Sequence, residues 1–143
     1  MSRPKPEPRS LYPYFLAMTT RWMDNDMYSH VNNVVYYSYF DTVVNEYMLR
    51  EKALSLAAGP VYLVVETGCR YFRPLSFPDT VHCGLRVGHL GASSVRFEIG
   101  IFRNDDPETA ARGHFVHVCC DRATHRPIEM PDDMRRALEK LRA

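Results

Sequence analysis

Hydrophobic and polar positions along this chain follow two different periods, and the change from one to the other marks out its elements. Tyr14 to Trp22 is aromatic, aliphatic and β-branched and runs into a polar cluster at Asp24, Asn25 and Asp26, which predicts a first strand followed by a loop. From about Asn33 the period lengthens. Ser38, Asp41, Thr42 and Asn45 fall at i, i+3, i+4 and i+7, while Tyr36, Phe40, Val43, Tyr47 and Met48 take the opposite face, the pattern of a long amphipathic helix. Asn32 or Asn33 is placed to cap its first turn, although no Glu or Gln follows to complete a capping box. Gly59-Pro60 bounds its far end, so the helix is expected to span about 33–55.

Beyond Pro60 the alternation of strands takes over. Val61 to Tyr71, Val81 to Leu90, Ser93 to Phe102 and Thr109 to Cys120 are strand-length segments, separated by turn residues at Arg73-Pro74, Phe77-Pro78-Asp79, Gly91 and Asn104 to Pro107. Val81, Cys83, Leu85 and Val87 share one face, and Val95, Phe97, Ile99 and Ile101 share one in the next strand. A sheet with one apolar face must pack on something, and the helix near 33–55 is the only element long enough to fill it. The expected fold is α+β, an antiparallel sheet wrapped around one long central helix. A short final helix should begin near Pro131-Asp-Asp133, with acidic residues first and Arg135, Arg136, Lys140 and Arg142 later, as the helix dipole favours. Residues 1–13, rich in proline, read as a flexible N-terminal arm, and 14–143 as one domain without internal repeats.

Composition narrows the partners. At 143 residues the chain buries roughly 70% of its unfolded surface and needs no staples. The formal charge is +1 and the Lys and Arg residues are scattered, so no basic stripe points to nucleic acid. The proline-rich start carries no apolar core of a secretory signal. The longest apolar stretch, Val34 to Leu49, is broken by Ser38, Asp41, Thr42, Asn45 and Glu46, which excludes a membrane span. Cys69, Cys83, Cys119 and Cys120 form no CxxC pair and stand at no usual zinc spacing from a His, so no metal is expected and a reduced, cytoplasmic protein is the simpler account.

The chemistry concentrates in Asp24-Asn-Asp26-Met-Tyr-Ser-His30-Val-Asn-Asn33, which sets carboxylates, an imidazole and amides just ahead of the predicted helix. Unpaired N–H groups at a helix start are ready donors for an oxyanion. A carboxylate beside them could attack an acyl carbonyl or take a proton from attacking water, and Asp26 suits either role. Asp, Asn and Ser before a helix are also ordinary turn and capping residues, so composition leaves both readings open.

The string Arg21-Trp-x-Asp-x-Asp26-x-x-x-His30-Val-Asn-Asn33-x-x-Tyr36-x-x-Tyr39-Phe40 resembles the opening motif of the 4-hydroxybenzoyl-CoA thioesterase-like family of hotdog proteins, and is similar to that of plant acyl-ACP thioesterases. Tyr71-Phe-Arg-Pro74, Gly88-His-Leu-Gly91 and Asp121-Arg-Ala-Thr-His-Arg-Pro127 extend the likeness over most of the chain. The resemblance implies a hotdog fold and hydrolysis of acyl-CoA without any cofactor beyond the CoA of the substrate. It implies Asp26 as the catalytic carboxylate, the Asn33 N–H as the group that polarises the thioester carbonyl, and His30 with the Asn33 side chain in support. Ser29 departs from the pattern, since many relatives carry Gly there. Homodimers or homotetramers are implied as well, with active sites at subunit boundaries.

Other residues are weighed around this set. Asp24 is an alternative acid whose expected role is to hold the loop or pair with Arg21. Glu66 is a candidate from a neighbouring strand. His114 and His117, three apart on a strand, face opposite sides and are expected to be structural. Tyr36, Tyr37 and Phe40 are expected to hold the acyl chain. Arg70, Arg73, Arg86 and Arg96 are candidates for CoA phosphates, Arg73 foremost. Two rival functions are a hotdog enoyl-CoA hydratase or dehydratase, whose motif spaces Asp and His one residue further apart, and a non-catalytic acyl-CoA binding module, which has no need of an acid at the helix start.

Overall fold

The computed structural model describes residues 3–142. Five strands, β1 (Tyr14–Thr19), β2 (Val61–Tyr71), β3 (Thr80–Leu90), β4 (Ser94–Arg103) and β5 (Ala111–Cys120), form one antiparallel sheet in the order β1-β3-β4-β5-β2. Helix α1 (Val35–Arg50) lies on its concave face and α2 (Asp132–Glu139) closes one end. This is the hotdog arrangement. The apolar faces expected of β3 and β4 are the ones that meet the helix: Val81, Cys83, Leu85, Val87, Val95, Phe97, Ile99 and Ile101 are all buried. They oppose Tyr36, Tyr39, Phe40, Val43, Val44, Tyr47 and Met48 of α1. The four cysteines are free. Among the described residues no helix is long and apolar enough to cross a membrane.

Both ends of α1 differ from expectation. The helix stops at Arg50, not near 55, because Lys52 turns left-handed (φ 58°) and closes a Schellman-type end. The Lys52 N–H donates to Leu49 O and the Ala53 N–H to Met48 O, both at 3.0 Å. Arg122 then pins the following loop, donating to Ser55 O, Ala58 O and Gly59 O. At the other end the helix begins at Val35, two residues past Asn33, and its N-cap residue Val34 has no side-chain acceptor to offer the first turn. Asn32 Oδ1 instead accepts the Val34 N–H at 3.1 Å.

Residues 7–12 are not a loose arm. Glu7 and Thr109 exchange two hydrogen bonds at 2.9 Å, and Arg9 donates to Asp106 O and Asn104 O. Tyr12 is buried against the convex face of the sheet, over Gly84 and Gly100. A Cβ at either glycine would stand 2.7 or 2.6 Å from the Tyr12 ring, so the missing side chains make the seat. The Arg86 guanidinium covers the same ring at 4.6 Å.

Candidate active site

The loop from Arg21 to Asn33 is assembled around Asp24. A 3-10 turn over Trp22–Asp24 aims the Asp24 carboxylate inward, where it is 1% exposed. It accepts the Arg21 N–H at 2.8 Å, Arg21 Nε at 3.1 Å and the Tyr39 hydroxyl at 3.1 Å. Asp24 thus ties the loop to α1 and pairs with Arg21, as expected of it, and does not line the cleft described below.

Asp26 begins a tight reversal. Its N–H donates to His30 O at 2.8 Å, the Ser29 N–H donates back to Asp26 O at 3.0 Å, and Asp26 Oδ1 accepts the Tyr28 N–H at 2.8 Å. Ser29 sits at φ 63°, a left-handed conformation that glycine adopts without cost. The segment after β2 fixes the reversal: the Val31 N–H donates to Leu75 O at 2.7 Å, Ser76 Oγ to Ser29 O at 2.9 Å, and the Phe77 N–H to Asn25 Oδ1 at 3.0 Å. The backbone around Asn33 is held on both sides. The Tyr71 hydroxyl donates to Asn33 O at 3.1 Å, and the Asn32 N–H donates to Asp24 O at 2.8 Å. No acceptor among the described residues takes the Asn33 N–H.

These elements enclose a cleft of about 340 Å³ lined by Asp26, His30, Val31, Asn33, Tyr36, Tyr71, Phe72, Arg73 and Pro74. A cleft of this size is in the range of small-molecule sites. Of the residues weighed from the sequence, Asp26, His30, Asn33, Tyr36 and Arg73 meet there. Tyr36 and Tyr71 stack edge to face at 4.9 Å. Burial pushes the Tyr36 phenol up to about 12 and raises that of Tyr71, so both stay neutral and able to donate at ordinary pH.

Tyr37, also expected to hold the acyl chain, does not line the cleft, and neither does Phe40. Phe40 is fully buried between Tyr37 and Phe115, above Gly113, where an added Cβ would stand 2.2 Å from its ring. Its burial contributes roughly 1.5–3 kcal/mol to the core. It has no surface to offer an acyl chain. Val31, Tyr71, Phe72 and Pro74 are the lining residues that the sequence did not assign, although the Tyr71-Phe-Arg-Pro74 string was a signal for three of them.

The remaining candidates lie elsewhere. Glu66 is exposed and meets His114 Nε2 at 3.0 Å on the convex face, while His117 is buried on the concave face, so the two histidines do point apart. Arg73 lines the cleft but makes long ion pairs with Asp106 (3.8 Å) and Glu108 (3.6 Å). Arg86 is buried between Glu7 (3.1 Å) and Glu98 (2.8 Å), and Arg96 reaches Glu98 (3.4 Å) and Glu66 (3.8 Å).

Comparison with known proteins places this geometry in context. The family model described as the thioesterase-like superfamily matches residues 20–138. The crystal structure of the PA5185 protein from Pseudomonas aeruginosa strain PAO1 is 43% identical, with a TM-score of 0.94 over 97% of this chain and 98% of that one. A predicted thioesterase from Bacillus stearothermophilus shares the fold at 22% identity, with a TM-score of 0.80 over 91% of this chain and 96% of its own. So does Slr0204 from Synechocystis, a 1,4-dihydroxy-2-naphthoyl-CoA thioesterase, at 16% identity and a TM-score of 0.81 over 90% and 96%.

Proposed function

The chain belongs to the thioesterase-like superfamily and is a thioester hydrolase; from that premise we propose that it cleaves acyl-CoA to the free acid and CoA at the Asp26 cleft. The observation that carries this reading is the meeting of Asp26 and Asn33 in one cleft, with the Asn33 N–H unclaimed by any described residue. The thioester carbonyl oxygen accepts that N–H, which steadies the negative charge that builds there as the carbonyl carbon becomes tetrahedral. Asp26 supplies the carboxylate, either adding to that carbon to form a mixed anhydride or taking a proton from the water that adds. In both routes the C–S bond breaks and the sulfur leaves as CoA thiolate; in the first, water then hydrolyses the anhydride, which releases the free acid and restores the Asp26 carboxylate. His30 stands beside the same cleft as a polar support, and the Tyr36, Tyr71, Phe72 and Pro74 wall accommodates the acyl group.

The reading includes a second copy of the chain. β2 is an open edge of the sheet, and the cleft wall Tyr71–Pro74 continues directly from it, which supports a homodimer or homotetramer with the site beside the subunit boundary. It also includes work in the cytoplasm, supported by four free cysteines.

The test is free-thiol release from a panel of short, medium, long and aromatic acyl-CoAs. Asp26→Ala is expected to lower turnover by a factor on the order of 10² or more, and Asp26→Asn nearly as much. Equal ligand binding by wild type and variant with no thiol released by either would leave a binding module. Turnover of crotonyl-CoA by hydration, with none of saturated acyl-CoA by hydrolysis, would leave a hydratase.

A further inference from the structure

The convex face of the sheet carries a groove of about 410 Å³ that the proposed chemistry does not use, lined among others by Arg70, Arg86, Arg96, Glu98, Arg112 and His114. Its construction follows from strand register. Arg70 of β2 is directly opposite Arg112 of β5, and the same row continues into Gly100 of β4 and Gly84 of β3. The next row runs Gly68, His114, Glu98 and Arg86. The space over Gly84 and Gly100 is taken by the Tyr12 ring and that over Gly68 by the His114 ring, so these two rings form part of the groove wall and the cationic groups stand around them.

The charges do not balance within the groove. Three carboxylates serve it, and each is shared: Glu7 between Arg86 (3.1 Å) and Arg112 (3.0 Å), Glu98 between Arg86 (2.8 Å) and Arg96 (3.4 Å), and Glu66 between Arg96 (3.8 Å) and His114 (3.0 Å). Four guanidiniums thus face three carboxylates. The Arg70 side chain makes no hydrogen bond or ion pair with any described residue, although it faces a like charge across the strands. Like charges directly opposite on neighbouring strands destabilise a sheet. An arrangement that bears this cost, leaves one guanidinium unpartnered and surrounds a cavity is suited to a ligand bringing the missing negative charge. Guanidinium forks match phosphate oxygens two at a time.

We propose that this groove binds the phosphates of a nucleotide-sized ligand, with Arg70 and Arg112 as its principal contacts. Two sources share that chemistry. The phosphates can be those of the CoA substrate, because Arg70 borders the groove while Tyr71 at the end of β2 and Phe72 to Pro74 just after it line the cleft; this source rests on the acyl-CoA reading above. Alternatively they belong to a free nucleotide that binds by itself.

The probe is adenosine 3′,5′-bisphosphate, titrated calorimetrically into the full-length protein, with inorganic pyrophosphate as a second probe. Saturable binding that weakens with salt is expected, tenfold or more weaker in Arg70→Ala and partly restored in Arg70→Lys, with unchanged thermal unfolding confirming that the variants fold. If the phosphates are those of CoA, the bisphosphate competes with substrate. Arg70→Ala then raises KM for acyl-CoA about tenfold with little change in kcat, and this defect shrinks with acyl-pantetheine. If they are those of a free nucleotide, binding survives and competition is absent. Lack of binding to wild type, or binding insensitive to Arg70→Ala, overturns the proposal. Bisphosphate binding by a protein that releases no thiol would sink the hydrolase reading and leave the groove standing.

Discussion

His117 shows how one side chain couples this fold to pH. It is 2% exposed, its ring lies 5.0 Å from Phe115 and 5.5 Å from Phe97, and neither ring nitrogen has a hydrogen-bond partner among the described residues. Burial drives its pKa down from the ordinary 6.5 to about 4. Below pH 6.5 the unfolded chain binds a proton that the folded chain refuses, so stability is highest above that value and falls as the pH drops toward 4. A shift of this size corresponds to about 3 kcal/mol, lost across that window. Chemical unfolding at a series of pH values is expected to show the fall, and His117→Leu to flatten it. An identical pH slope in both proteins would mean that other groups are responsible. The sequence placed His117 and His114 on opposite faces, since alternation follows from strand geometry alone. It could not show that no acceptor faces His117, because Phe97 and Phe115 come from two strands brought together by folding.

At the scale of elements, the C-terminus of α1 offers the clearest test. Lys52 occupies the left-handed position that ends the helix, a conformation costing a residue with a Cβ roughly 1 kcal/mol or more and glycine little. Lys52→Gly is expected to raise stability by about 1 kcal/mol, measured as a shift in denaturant midpoint; unchanged or lower stability would place the helix end elsewhere. Gly59-Pro60 misled the sequence reading here, because a strong helix-stop pair says only that a helix cannot pass it. The periodic parts were legible: the inner faces of β3 and β4 and the buried stripe of α1 depend on spacing along one element. Phe40 and Tyr36 share that stripe, yet one is sealed by Gly113 while the other borders the cleft. That division depends on which strand residue stands opposite, which spacing does not encode. The cleft was half legible for the same reason. Asp26, His30 and Asn33 are near neighbours in sequence, whereas Tyr71, Phe72 and Pro74 reach them only because the segment after β2 hydrogen-bonds back onto the loop at Val31 and Ser29.

For the molecule as a whole, the least satisfied surface is the free edge of β2. The strand is 11 residues long, and Leu63, Val64, Val65 and Tyr71 on it are exposed. An edge of this length and apolarity invites pairing with another strand, and only the shift between Val64 and Glu66 interrupts it. Strand pairing alone buries less than the roughly 1,600 Å² of a standard stable interface. In a stable dimer the flank of α1 and the loop after it, where Leu49 and Leu56 are exposed, would be expected to supply the remainder. Wild-type protein is therefore expected to run at twice the chain mass, or a larger even multiple, in light scattering across micromolar concentrations. Val65→Lys places a charge at the most exposed apolar position of the strand and should shift the population toward single chains without lowering the helix and strand content. Because the cleft wall begins where β2 ends, thiol release per chain should fall together with the dimer fraction as the variant is diluted. Wild-type protein that remains a single chain at its highest soluble concentration, or a dissociated variant with full activity per chain, would show that the cleft works without a neighbour.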